Sequence, residues 1–122
     1  MRRNLAVLAA LVIALAPIFV LAANWFPVGY AYYDDLSTSK TLASTPTGGV
    51  TLPSTAVHAT FTVVAASAPV CFSWAGGTAT TNHECYAAGE HFKISESRTL
   101  LTKVSFIQGS AGAKLRVTYF SN

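Results

Sequence analysis

Three histidines, two cysteines and five carboxylates decide what chemistry is within reach of this chain. His83, Glu84 and Cys85 stand side by side with His91 close behind, which supplies the imidazole and thiolate donors that zinc or copper take. A strand sends adjacent side chains to opposite faces, so His83 and Cys85 would share a face that Glu84 does not. His58 is remote in sequence, and no methionine follows Met1 to complete a blue-copper set. The donor set is incomplete, and we read no metal and no cofactor. A Cys–His nucleophile, Cys85 with His91 or His83, would need a thiolate and an orienting third group, whereas Cys71 stands ready as a disulfide partner. A Ser–His–Asp set would need Asp34 or Asp35, which fall in a loop-forming stretch. Glu84, Glu90 and Glu96 lie near turn signals rather than as a facing pair. The residues therefore predict a protein that is not an enzyme.

Recognition chemistry fits the residue types better. Thr78, Thr80, Thr81 and Asn82 form a polar loop, and loops on a rigid scaffold carry contacts more often than its faces do. Trp74, Tyr86, Tyr119 and Phe120, with Ser73 and the threonines nearby, are of the kind that stacks on sugar rings. Trp74 shares its face with Val70 and Phe72 and reads as core, which leaves Tyr86 and Phe120 as aromatic contacts. Phe120 falls on an outer face beside Arg116 and Thr118 and would mark an oligomer contact. The partners this predicts are copies of the chain or other structural subunits, and a glycan.

Elements must position these residues, and composition bounds what those can be. The 122 residues are 52% hydrophobic and 11% charged, enough apolar content to exclude a disordered chain and too short for a two-domain enzyme. The chain opens with Arg2 and Arg3 and then runs without a charge from Leu5 to Ala23. As a helix that run would rise about 28 Å, enough to cross a bilayer. The basic start, the apolar stretch Leu5 to Ala16, Pro17 and the small residues ending at Ala22 also read as a secretory signal cut after Ala22. The aromatics Trp25, Phe26, Tyr30, Tyr32 and Tyr33 suit the interface beside an uncut anchor. Either way residues 5–23 meet a membrane at least transiently, and the rest of the chain is exported to the periplasm, a cell surface or a virion. Without residues 1–22, six of the eight basic residues remain against five acids, a balance of +1. Nucleic acid is therefore not an expected partner.

From Asp34 to Ala56, ten of 23 residues are Ser or Thr, with Pro46, Pro53 and the pair Gly48-Gly49. We take 23–55 as an aromatic segment and extended tether, with a short strand at Gly49 to Leu52. Residues 56–122 then alternate with period two. Val57, Ala59, Phe61 and Val63 share one face, as do Val70, Phe72 and Trp74, Phe92 and Ile94, and Leu115, Val117 and Tyr119. The run Leu100 to Ile107 predicts a central strand, and no stretch after residue 33 has a helical apolar stripe. Such short strands between Gly-rich turns predict an all-β domain, a small antiparallel β-sandwich or barrel of jelly-roll or immunoglobulin-like size, preceded by a hydrophobic helix. Cys71 and Cys85 fall in neighbouring strands and predict a disulfide.

The stretch Phe72-Ser73-Trp74-Ala75-Gly76-Gly77-Thr78-Ala79-Thr80, with Ala88-Gly89-Glu90-His91-Phe92-Lys93-Ile94, Val104-Ser105-Phe106-Ile107 and Leu115-Arg116-Val117-Thr118-Tyr119-Phe120, resembles small β-sandwich proteins of tailed phages. The likeness spans about residues 60–120. It implies a virion-associated, non-enzymatic subunit acting by assembly or binding. A leader is unusual in that group and points to a membrane-containing or extruded virus, or to a bacterial surface protein. A secreted carbohydrate-binding or adhesion module is the alternative.

Overall fold

The computed structural model describes residues 25–122. The expected leader, its cleavage after Ala22 and the membrane contact through residues 5–23 lie outside the described residues. Among the described residues, no helix is long and apolar enough to cross a membrane.

Among the described residues, nine strands and one short helix follow in order. They are β1 (Phe26–Tyr33), β2 (Lys40–Thr41), β3 (Gly48–Gly49), β4 (His58–Val63), β5 (Val70–Ser73), β6 (Glu84–Tyr86), β7 (His91–Ile94), α1 (Arg98–Lys103), β8 (Ser105–Gln108) and β9 (Leu115–Ser121). Two antiparallel sheets result: sheet A in the order β3-β1-β9-β4-β7, and sheet B in the order β2-β8-β5-β6. With the two-residue β3 set aside, the pairs are nested. The first strand meets the last (β1·β9), β2 meets β8, β4 meets β7, and β5 meets β6. One long hairpin has thus been rolled up, alternate pairs going to alternate sheets, joined by β9·β4 in one and β8·β5 in the other. That is the connectivity of a jelly roll.

The core lies between the sheets. Ala31 and Tyr33 of β1, Ala59, Phe61 and Val63 of β4, and Leu115, Val117 and Tyr119 of β9 point inward from sheet A. Val70 and Phe72 of β5 and Phe106 of β8 meet them from sheet B. Phe72 is the centre of an aromatic cluster, edge-on to Phe61 (5.9 Å) and to Phe92 (4.9 Å), while Tyr33 lies edge-on to Phe106 at 5.0 Å. Burying each such ring contributes roughly 1.5–3 kcal/mol.

The stretch expected to be a tether is instead part of this core. β1 is an inner strand of sheet A, paired with β9 from Phe26 to Tyr33, and Leu36 and Leu42 are fully buried. The serines and threonines there close local turns. Thr47 Oγ1 donates to Asp34 Oδ1 (2.6 Å), and Ser44 Oγ accepts from the Thr41 amide (2.9 Å). The same residue types build tight turns and open linkers, and inward apolar positions spaced among them decide which. The boundary expected at residue 56 therefore does not exist, and one folded unit spans 26–122. In place of the strand expected at Gly49 to Leu52, β3 covers only Gly48–Gly49, starting one residue earlier.

The central strand expected from Leu100 to Ile107 divides in two. Residues 98–103 form α1, and only β8 continues extended, between β2 and β5. Ser97 caps the helix, its Oγ accepting from the Leu100 amide at 3.2 Å, and Leu101 is its buried residue. Arg98 donates to the carbonyls of Pro53 (2.6 Å) and Ala56 (2.8 Å), which ties α1 to the chain entering β4.

Candidate functional site

The cysteines sit opposite one another in the β5·β6 register and are joined, so neither sulfur is a free nucleophile or thiolate ligand. The sequence separation of 14 gives a closed loop worth about 3 kcal/mol on chain-entropy grounds. Cys71 and Ser73 alternate with the inward Val70 and Phe72, yet all four residues of β5 are buried. β5 is an inner strand, and the backbone at Gly109 comes so close that a Cβ there would lie 3.5 Å from Cys71 Sγ.

The bridged strands carry the expected contact loop. Gly76 and Gly77 turn the chain with φ of 82° and 81°, a conformation glycine adopts without strain. Ala79 is buried, and its amide donates to Ser39 Oγ at 2.9 Å, which pins the loop to the β1–β2 connection. Thr78, Thr80, Thr81 and Asn82 are all exposed around that anchor. His83 closes the loop, its Nδ1 accepting from the Thr80 amide at 2.9 Å. Its ring is therefore a turn-closing group beside a spent sulfur. Among the described residues, no three or more of His, Cys, Asp and Glu gather as a metal would need.

Neither of the two aromatics expected as contacts, Tyr86 and Phe120, is fully exposed. Tyr86 is half-buried, packed on Phe92 (4.7 Å) and edge-on to Phe72, with its hydroxyl donating to Glu84 Oε1 at 3.1 Å. Desolvation by the neighbouring rings, then the hydrogen bond and charge of Glu84 and the charge of Glu90, hold its phenol above the usual range. It extends the core more than it offers a platform. Trp74 stacks on Phe72 (5.6 Å) at the core margin. Tyr119 is fully buried and out of reach of any sugar. Phe120 does fall on the outer face of sheet A, but half-buried, 5.7 Å from Trp25.

Trp25 explains a residue that periodicity misplaces. His58 alternates with inward positions and reads as wet, but it is fully buried beneath Trp25, stacked at 3.8 Å. Its Nδ1 accepts from the Glu96 amide (2.9 Å), which leaves the proton on Nε2 to donate to Asn122 Oδ1. That bond holds Glu96 in the left-handed region, at φ 53°. No spacing signal announces a cover that comes from the residue preceding β1.

Burial pushes the Tyr33 phenol up to about 12, against a smaller opposing effect of the neighbouring Tyr119 hydroxyl. Tyr119 is raised as well, by burial first and then by Tyr33. The Tyr119 hydroxyl and that of Ser105 are buried and have no hydrogen-bond partner among the described residues.

Two exposed features of the surface remain. The exposed large apolar side chains, Phe26 (55%), Tyr30 (57%) and Val50 (48%), fall on β1 and the chain just after β3. Beside them, the outer face of sheet A carries Tyr30, Tyr32, Thr60, Thr62, His91, Lys93, Arg116 and Thr118. No family model, curated protein or solved structure matches the chain.

Proposed function

We propose that the chain is a non-enzymatic, exported structural module, a virion-associated or surface-decorating subunit that acts by assembly. The observation that carries this reading is that the exposed large apolar side chains, Phe26, Tyr30 and Val50, all fall along the β1–β3 edge of sheet A. Single exposed apolar residues are ordinary, whereas several along one edge suit a contact with another subunit. This edge takes the place of Phe120, which Trp25 half-covers. The jelly-roll connectivity supports the reading, since viral capsid domains use it, although a fold alone does not choose a function. The disulfide suits an oxidising compartment, as export would provide.

The test is to purify particles or cell envelopes from the native source, probe them for the chain, and measure its assembly by sedimentation. We expect it to co-purify and to form oligomers that Phe26→Ser with Val50→Ser disperses. A chain absent from particles and envelopes, and monomeric at high concentration, would overturn the proposal.

A further inference from the structure

We propose that the outer face of sheet A binds an acidic polysaccharide, through Arg116 and Lys93 as anion contacts and Tyr30 and Tyr32 as stacking surfaces. The register sets two rows across four strands. One row is Tyr32, Arg116, Thr62 and His91, and the next is Tyr30, Thr118, Thr60 and Lys93. With strands about 4.8 Å apart, each row spans about 14 Å. Phenols stand at the β1 end, an imidazole and an ammonium at the β7 end, and a guanidinium with threonine hydroxyls between. Tyr30, Arg116, His91 and Lys93 are exposed.

Neither row contains a carboxylate. The five acids are Asp34 and Asp35 after β1, Glu84 on the other sheet, and Glu90 and Glu96 flanking β7 outside the rows. Two cations in rows free of acids complement an anion, and guanidinium matches a carboxylate or sulfate with paired donors. Lys93 is held on this face by Trp25, its Nζ lying 5.5 Å from the ring centre.

The neighbouring groups select the kind of anion. A sugar ring offers a C–H face to a phenol ring, and its hydroxyls exchange hydrogen bonds with threonines. A polynucleotide would use more cations than two, since phosphate neutralisation supplies most of its affinity. A bilayer would need apolar side chains to insert, and Phe26 and Val50 stand along the β1–β3 edge instead. Of the exposed apolar side chains there, the polysaccharide face shares only Tyr30, and the two proposals are tested through different residues, so each can fail alone.

The natively processed chain is titrated by calorimetry with a short oligouronate and a short sulfated oligosaccharide. A neutral cello-oligosaccharide and a single-stranded DNA oligonucleotide serve as comparators. We expect one or both acidic sugars to bind, more weakly as salt rises. Arg116→Ala and Lys93→Ala should each lose about tenfold in affinity, as for a charge-assisted hydrogen bond. Arg116→Glu should abolish binding, Arg116→Lys should retain part of it, and Lys103→Ala on α1 should change nothing. All variants are checked for wild-type melting temperature, and Arg116→Lys keeps the test valid if a charge reversal fails to fold. No binding of either acidic sugar, equal binding of the neutral one, tighter binding of DNA, or an equal loss in Lys103→Ala would each overturn the proposal.

Discussion

At the residue scale, the turn glycines divide by what surrounds them. Gly49 has φ +88°, and a Cβ there would stand 2.1 Å from the Tyr30 carbonyl oxygen, a backbone atom that cannot step aside. Gly76 has φ +82° with open space around it. Gly76→Ala should cost only the left-handed backbone, about 1 kcal/mol, whereas Gly49→Ala should cost clearly more and disturb β3. Urea unfolding midpoints of the two variants would rank them, and equal losses would show that the close approach at Gly49 is wrong. The buried phenols set a pH dependence. Tyr33 ionises near 10.0 when unfolded and near 12 when folded, so its contribution is complete below pH 10. Above pH 10 the unfolded state releases its proton first. Stability should then fall by about 1.4 kcal/mol per pH unit for that group, and more steeply as Tyr119, raised also, follows. Denaturation across pH 9 to 12 of the variant Tyr30→Phe with Tyr32→Phe and Tyr86→Phe, in which Tyr33 and Tyr119 are the remaining phenols, read with phenolate absorbance, should show ionisation of both rings coinciding with unfolding; phenolate signal from that variant in the folded state near pH 10 would contradict it.

At the scale of elements, the β5·β6 pair depends on its staple more than on its ladder. β6 has three residues, is mostly exposed, and lies at the edge of sheet B. Reduction of Cys71–Cys85, or the pair Cys71→Ser with Cys85→Ser, should cost about 3 kcal/mol and loosen the Thr78–Asn82 loop before the rest. Melting with and without reductant measures the first effect, and amide exchange across residues 74–90 the second. An unchanged melting temperature would mean that packing of Tyr86 on Phe92 holds the pair unaided. The contrast between β8 and α1 belongs to this scale too. Leu100, Leu101 and Val104 look like strand residues in a list, and the Ser97 cap with the Arg98 contacts to Pro53 and Ala56 wins locally for one and a half turns of helix.

At the scale of the whole molecule, nested pairing makes the ends of the chain indispensable. β9 lies between β1 and β4, so the last strand is held by the first and by a middle one. A chain beginning at Ala56 would lack β1, β2 and the buried Tyr33, Leu36 and Leu42, and should not fold, whereas one beginning at Ala23 should. Circular dichroism and cooperative melting of the two would decide; a folded, cooperative 56–122 fragment would restore the tether reading.

Much of the molecule was nonetheless legible before folding. Alternation is a local property of extended chain, so the strands around Phe61, Phe72, Phe92 and Val117, and their inward faces, could be read directly, as could the all-β class and the Cys71–Cys85 pair. What alternation cannot express is which strand lies beside which. That assignment depends on loop closures spanning most of the chain and on complementarity between distant faces. It alone placed β1 between β3 and β9, drew Ser- and Thr-rich turns into a core, set Trp25 over His58 and left Tyr32 in register with Arg116. Residue types and spacing determined what each segment could become; long-range pairing decided which surfaces were buried and which were left exposed.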